Sequence, residues 1–183
     1  METKEIRTER LILRPVRESD YDDLYEFLSQ LETDEFEGYP GITYENGRGY
    51  LRARLNSAEY YAMALKDTGK VIGNISVGGR AYAAIEVGYI VNRRYQRSGY
   101  AYEALSAVMD AAFRAGVHRI FAECDPRNLA SWRLLEKVGM RREAHFRKNL
   151  WFRKDADGAP VWKDTYVYAV LDSDFFARTD RAH

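Results

Sequence analysis

The sequence contains a single cysteine, Cys124, among 183 residues. One cysteine excludes an internal disulfide and most zinc frameworks, which need several ligands at set spacings, so no metal site is predicted. Long apolar runs are also absent: none approaches the roughly 20 residues that cross a bilayer. The charged stretch 1–9 has no apolar segment of the kind that a secretory signal needs. We therefore expect a cytoplasmic protein with no membrane partner.

The chain has no net charge, because 28 Lys and Arg residues balance 28 Asp and Glu residues. This balance gives no overall reason to expect binding to nucleic acid or to a membrane. Charge is nevertheless uneven, with ten acidic residues and one basic residue in 17–46 and six basic residues and one acidic residue in 141–154. Two solvated faces are the simpler interpretation. The alternative is that the acidic part attracts a cationic substrate and the basic part meets anions.

The basic residues of the second region lack the interleaved aromatics of a dedicated nucleic-acid module, so no such binding is predicted. They are Arg141, Arg142, Arg147, Lys148, Arg153 and Lys154.

Hydrophobic periodicity predicts an α/β chain of the mixed α+β type in the order β α α β β β α β α β β. The predicted strands are 11–15, 60–65, 71–77, 86–91, 120–124, 142–152 and 162–171, and the predicted helices are 18–28, 45–55, 100–115 and 128–138. Gly78-Gly79 is expected to end the third strand. The helix 100–115 joins two apolar strands, which indicates one β-α-β crossover in a mixed, mostly antiparallel sheet flanked by helices.

The segment 96–101 lies between the apolar strand 84–91 and the helix that begins near Tyr100. A short glycine-containing turn at a helix N-terminus presents main-chain N–H groups to a phosphate. The Gly-Lys-Ser/Thr ending of a nucleotide-binding P-loop is absent, and so are the three glycines of a dinucleotide fingerprint. The turn therefore predicts an anion site made by Gln96, Arg97, Ser98, Gly99, Tyr100 and Ala101.

The spacing Gln96-x-x-Gly99-x-Ala101, followed by the stretch 128–140, resembles the GNAT N-acetyltransferases. The segments 7–15 and 164–171 resemble the branch of ribosomal-protein alanine N-acetyltransferases. The resemblance implies the GNAT acyl-CoA N-acyltransferase fold over about residues 8–172, in a single domain that comprises 1–183. It implies acetyl-CoA as acyl donor, a homodimer as in many members of the branch, and no metal.

The resemblance also implies positions for the donor. The pyrophosphate would lie on the loop 96–101, and the pantetheine arm would lie along the main chain of Ile90 and Val91 and beside Asn128. A main-chain N–H at 90–91 would polarise the thioester carbonyl. Further contacts to the CoA phosphates are expected from the basic residues around the loop, Arg93, Arg94 and Arg97.

Catalysis requires a neutral amine and a protonated leaving thiol. Glu86, on the strand beside the acyl site, is the candidate base, with a solvent-facing role as the simpler alternative and with His118 and His145 as rivals. Many family members carry a tyrosine acid where this chain has Leu135, so Ser131 is the candidate acid by resemblance. Cys124 is expected to pack as a small hydrophobe rather than to carry an acetyl group.

The sequence leaves open which class of amine is the acceptor. The branch implies a protein N-terminal α-amine, whereas a small amine such as an aminoglycoside or a polyamine is the alternative. A non-catalytic acyl-CoA-binding domain is a third interpretation, because the tyrosine acid is missing. The stretch expected to line the acceptor entrance contains Glu32, Asp34, Glu35, Phe36, Glu37 and Tyr39.

Overall fold

The structure, a computed structural model, describes residues 5–33, 36, 38 and 41–179. Its strands are β1 (Ile6–Arg7), β2 (Leu11–Pro15), β3 (Tyr60–Leu65), β4 (Val71–Ala81), β5 (Ala84–Val91), β6 (Arg119–Cys124), β7 (Arg141–Lys154) and β8 (Pro160–Leu171). Its helices are α1 (Tyr21–Leu28), α2 (Tyr44–Leu55), α3 (Tyr100–Arg114), α4 (Leu129–Lys137) and α5 (Asp172–Thr179).

All eight strands form one sheet in the order β1-β2-β3-β4-β5-β6-β8-β7. The pair β5–β6 is parallel and every other neighbouring pair is antiparallel. Helix α3 connects the two parallel strands, which confirms the predicted crossover and the mostly antiparallel mixed sheet.

Each face of the sheet buries its own apolar cluster. Helices α3 and α4 cover one face, where Leu105, Met109 and Leu135 pack on residues such as Ile85 and Ile120. Helices α1 and α2 cover the other face through a second cluster, which includes Leu24, Phe27, Leu28, Leu51 and Ala62. Alternate residues of β5 therefore point to different helix layers.

The structure corrects one predicted boundary. Strand β4 runs past Gly78-Gly79 to Ala81, with a register shift between Gly78 and Ala81. Gly79 adopts a φ of 66°, which suits glycine in a bulge rather than at a strand end. The true reversal is at Tyr82 and Ala83, which both have positive φ.

Two elements have no counterpart in the sequence-based prediction. Strand β1 has two residues, too few for any periodicity. Helix α5 is stabilised by long-range aromatic contacts, since Phe175 lies 5.0 Å from Phe113 of α3 between ring centroids. None of the helices in the described ranges is both long and apolar enough to cross a membrane.

Candidate active site

A gap opens in the sheet where the two parallel strands separate. Pairing between β5 and β6 consists of Ala84↔Arg119, Ile85↔Ile120 and Glu86↔Phe121. Both strands continue beyond this point, β5 beside β4 as far as Val91 and β6 beside β8 as far as Cys124. Both strands keep their outer partners, so the two sides of the gap are held rigidly while its inner edges lose their strand partner.

The main chain along the β5 edge of the gap alternates in direction. Asn92 donates its N–H to the Ile72 carbonyl of β4 at 2.8 Å. In an antiparallel pair every second residue is hydrogen-bonded to the partner strand, so the main-chain groups of Ile90 also face β4. Tyr89 and Val91 therefore direct their main-chain groups towards the gap. Of the two positions predicted to contact the pantetheine arm, Val91 is the one whose N–H faces the gap.

The loop after β5 has the geometry of an anion-binding turn. Arg97 and Gly99 adopt left-handed φ values of 62° and 84° on either side of Ser98. Such a sequence of conformations turns neighbouring N–H groups to one side. Gly99 is also the N-cap of α3 and provides no side-chain cap, so the first N–H groups of the helix remain directed outwards. The helix dipole adds partial positive charge at the same place.

The side chains of the loop mostly hold the loop itself. Gln96 donates from its amide to the Val91 carbonyl at 3.0 Å, and the Ser98 hydroxyl donates to the Gln96 carbonyl at 3.3 Å. Arg93 and Arg94, for which phosphate contacts stay a prediction, contact Gln30 and Glu26 at 2.9 and 3.5 Å. Arg97 is exposed beside the turn.

Hydrogen bonds from Thr8 and Arg10 in the N-terminal segment to Ser98 and Glu103, called the strut below, hold the loop in place. The sequence did not predict them. Arg10 donates to the Ser98 carbonyl at 2.9 Å and to Glu103 of α3 at 2.7 Å, while its guanidinium lies 4.3 Å from the Tyr100 ring centroid. Thr8 donates to the same carboxylate at 2.6 Å. Burial raises the pKa of Glu103, but the hydrogen bonds from Thr8 and Arg10 outweigh it and lower that pKa overall.

The start of α4 lies across the gap from β5. Asn128 is the N-cap, since its side-chain oxygen accepts from the Ser131 N–H at 3.1 Å. The Ser131 hydroxyl is 2.9 Å from the Tyr89 hydroxyl. Leu135 follows Ser131 by one helical turn, on the same face of α4, and is fully buried in the core.

Cys124 ends β6 close to Ser131. Burial raises the pKa of its thiol to about 11, with a smaller opposing effect from a hydrogen bond to Ser131. A thiol that stays protonated is a poor nucleophile, which supports the expectation that Cys124 packs rather than reacts.

Glu86 lies on the opposite face of β5 from Tyr89. The residue as a whole is exposed. Partial desolvation of its carboxylate nevertheless raises its pKa, and the nearby charge of Glu123 raises that pKa further. The rival histidines are paired elsewhere: His118 lies 3.2 Å from Asp172, and His145 lies 2.7 Å from Asp164. Of the three candidates, Glu86 stands on β5 at the last paired position before the gap.

The expected acceptor entrance is described only in part. Asp34, Glu35, Glu37 and Tyr39 lie outside the described residues. Phe36 is described, and the cationic groups of Lys163 and Arg127 each lie 5.7 Å from its ring centroid.

Asp125 joins those two cations beneath Phe36. It accepts from Arg127 and from Lys163, each at 2.9 Å. Burial raises the pKa of Asp125, but these two hydrogen bonds outweigh it and hold that pKa at about 2. The pair with Lys163 is almost completely buried, with 6% and 10% of the two side chains exposed.

The two parallel strands separate beside an anion-binding loop. Such a site can hold a long ligand that carries a phosphate group, and it is typical of proteins that bind such ligands. The profile described as "Acetyltransferase (GNAT) domain" matches residues 10–141. The chain therefore belongs to the GNAT acetyltransferase family, and it is an acetyltransferase.

Individual relatives agree with this assignment. The uncharacterised N-acetyltransferase YnaD of Bacillus subtilis is 31% identical over 93% of this chain and 98% of its own length. The [ribosomal protein uS5]-alanine N-acetyltransferase of Escherichia coli is 28% identical over 93% of this chain and 92% of its own. A solved GNAT-family acetyltransferase from Bacillus anthracis superposes with a TM-score of 0.83 at 28% identity, covering 93% of this chain and 99% of the other.

We expect Arg10→Ala to weaken binding of acetyl-CoA about tenfold, because charged hydrogen bonds that shape the loop are lost. Titration calorimetry with CoA and with pantetheine, which lacks the pyrophosphate, measures the effect, and only CoA should bind more weakly. The matched control is Arg114→Ala, which removes an exposed arginine paired with Asp110 on the same helix. Equal weakening of both ligands would contradict a role in the loop.

We expect Asp125→Asn to lower the free energy of unfolding by about 3 kcal/mol, since it removes the carboxylate from a buried ion pair. The pKa of Asp125 is about 2 in the folded chain against 3.8 ordinarily, so its contribution is present above about pH 4 and is lost as pH falls towards 2. Urea unfolding at pH 7 and in this acid range measures both effects. Asp157→Asn, in an exposed turn, is the control and should change neither.

Proposed function

We propose that this acetyltransferase uses acetyl-CoA as the donor and a primary amine as the acceptor, most specifically the N-terminal α-amine of a protein. When bound, the donor supplies an activated acetyl thioester. The residues present fit such a ligand in three respects: N–H groups at 97–101 suit its pyrophosphate, the Tyr89–Val91 edge suits its amide-containing arm, and Asn128 begins the helix beside the gap. The observation that carries the proposal is the gap itself, which leads from the anion-binding loop to Glu86.

Each catalytic group has a distinct task in this proposal. The Val91 N–H stabilises negative charge on the carbonyl oxygen of the acetyl group, as an oxyanion donor. Glu86 accepts a proton from the amine, directly or through water. Ser131 donates a proton to the leaving sulfur. Glu86 and Ser131 lie on opposite sides of the sheet, which suits an acceptor that approaches on the α1–α2 side and a thiol that departs on the α4 side.

The raised pKa of Glu86 fits this task. A base works best when its pKa is close to the operating pH, because it is then both deprotonated and strong enough to take a proton. The proximity of Glu123 also provides a second carboxylate for a cationic amine before it loses its proton. An α-amine has an ordinary pKa near 8, against about 10.4 for lysine, so a carboxylate suits the former better.

The choice of a protein N-terminus is supported by the similarity to a relative whose name states that it acetylates alanine of ribosomal protein uS5. The segments 7–15 and 164–171 resemble the same branch. A small amine remains the alternative, and the acidic region 17–46 fits it equally well. The non-catalytic acyl-CoA-binding interpretation is set aside, because the chain is an acetyltransferase. The homodimer and the cytoplasmic location stay predictions.

We expect peptides beginning with alanine or serine to be acetylated, and aminoglycosides and polyamines not to be. Release of free CoA thiol, followed colorimetrically across a panel of these amines, measures turnover. A peptide with a blocked N-terminus and a free lysine is the matched control. Turnover of aminoglycosides or polyamines alone would move the acceptor to the small-amine class.

We expect Glu86→Gln to lower kcat/KM by about 100-fold, because the base is lost. In the wild type, activity should rise as pH increases through the raised pKa of Glu86, and the variant should lose this limb. Glu123→Gln should shift the limb to lower pH, because it removes the charge that helps to raise that pKa. Glu18→Gln, at an exposed site remote from the gap, is the control, and an unchanged pH profile in Glu86→Gln would exclude Glu86 as the base.

A further inference from the structure

Three polar side chains meet on the α4 side of the gap. Tyr89 comes from β5, Cys124 from β6 and Ser131 from α4. The Tyr89 hydroxyl lies 2.9 Å from the Ser131 hydroxyl and 3.2 Å from the Ser131 carbonyl. Ser131 also hydrogen-bonds the Cys124 thiol. The serine hydroxyl thus bridges side chains from the two separated strands.

The register of the strands explains this meeting. Glu86↔Phe121 is the last parallel pair, and Tyr89 and Cys124 each stand three residues further along their own strand. Both residues pack against the cluster under α3 and α4, so both side chains lie on the same face of the sheet. Helix α4 begins above them, and its N-cap at Asn128 places Ser131 in the first turn. Local sequence therefore places each group, and the separation of the strands makes room for the serine between them.

The hydroxyls of Ser131 and Tyr89 differ in acidity. An aliphatic hydroxyl is a weaker acid than a phenol, so a serine alone is a poor proton donor for a leaving thiolate. A phenol that donates to the serine oxygen offsets this weakness, because the serine oxygen regains a proton as it gives one away. The Tyr89 hydroxyl has one proton to donate, either to the Ser131 carbonyl at 3.2 Å or to the Ser131 hydroxyl at 2.9 Å, and in the hydroxyl contact either oxygen can be the donor. Leu135, where a phenol is found in many GNAT enzymes, is buried in the core here.

We propose that Tyr89 is the positioning residue of the acid: it holds the Ser131 hydroxyl towards the sulfur and replaces the proton that Ser131 gives up. This inference rests on the proposed acetyl transfer. As the amine nitrogen bonds to the acetyl carbon, the carbon–sulfur bond breaks and its electron pair stays on sulfur. Ser131 gives its hydroxyl proton to the sulfur, Tyr89 gives its proton to Ser131, and solvent restores the proton of Tyr89. Glu86 receives the proton that the amine loses.

A double-mutant cycle tests this coupling in the full-length protein. Tyr89→Phe keeps the ring and removes the hydroxyl, and we expect kcat to fall about tenfold with an unchanged KM for acetyl-CoA. Ser131→Ala should reduce kcat at least as much. Because Tyr89 acts through Ser131, the double variant should be no slower than Ser131→Ala alone. Tyr102→Phe, at an exposed tyrosine of α3, is the matched control and should be unaffected.

A second measurement separates proton donation from packing and needs no acceptor. Free CoA is bound to each variant, and its thiol is titrated by the ultraviolet absorbance of the thiolate. A donor hydrogen bond stabilises the thiolate and lowers the pKa of the bound thiol. We therefore expect that pKa to be higher in Tyr89→Phe than in the wild type, and equal in Ser131→Ala and the double variant.

The outcomes are distinct. Additive losses in the cycle, an unchanged kcat in Tyr89→Phe, or the same thiol pKa in all variants would overturn the inference. Loss of CoA binding or of folded secondary structure in Tyr89→Phe would assign the tyrosine to packing and overturn it as well. Failure of the wild type to acetylate any amine would instead remove the proposed function, while the thiol titration would still test the coupling.

Discussion

The separation of β5 from β6 after three parallel pairs is the constraint on which the rest of the site depends. A sheet ordinarily satisfies the main-chain groups of each strand on both sides, and a buried N–H or carbonyl without a partner is costly. Here β4 and β8 pair with the outer edges of the two strands, while the inner edges beyond Glu86 and Phe121 have no strand partner. The Gln96 amide satisfies one of these groups, the Val91 carbonyl, from the end of the gap. The remaining edge is suited to a ligand that carries amides of its own.

The same separation divides the chemistry between the two faces of the sheet. Side chains alternate along β5, so Glu86 points to the α1–α2 side while Tyr89 points to α4. In the proposed reaction, the group that takes a proton from the acceptor and the group that returns one to the leaving thiol are therefore on different sides of the sheet. Neither can neutralise the other, and each has its own electrostatic surroundings. Glu86 shares its side with Glu123, whereas Ser131 lies among Tyr89, Cys124 and the core.

The features that were predictable from sequence are those encoded over short distances. The loop 96–101, the crossover helix and the helix that follows Asn128 each depend on a few consecutive residues, and the structure contains all three. The strut from Arg10 to Glu103 spans 93 residues, and the Tyr89–Ser131 contact spans 42, so no local pattern contains them. The only available signal for the strut was the polar segment 7–10 before a buried strand. The sequence did not predict the extension of β4, because a Gly-Gly pair is equally compatible with a turn that ends a strand and with a bulge inside one.

Gln30, just after α1, contacts the residues that precede the anion-binding loop. Gln30 accepts from the Arg93 N–H at 2.9 Å and donates to the Asn92 side chain at 3.1 Å, just before the anion-binding loop. Its own carbonyl accepts from the Arg93 guanidinium at 2.9 Å. Gln30 lies at the beginning of the segment that leads to Phe36, whose ring contacts the cations around Asp125. Gln30 and Phe36 thus contact two different parts of the proposed site, the turn before the anion-binding loop and the residues before α4.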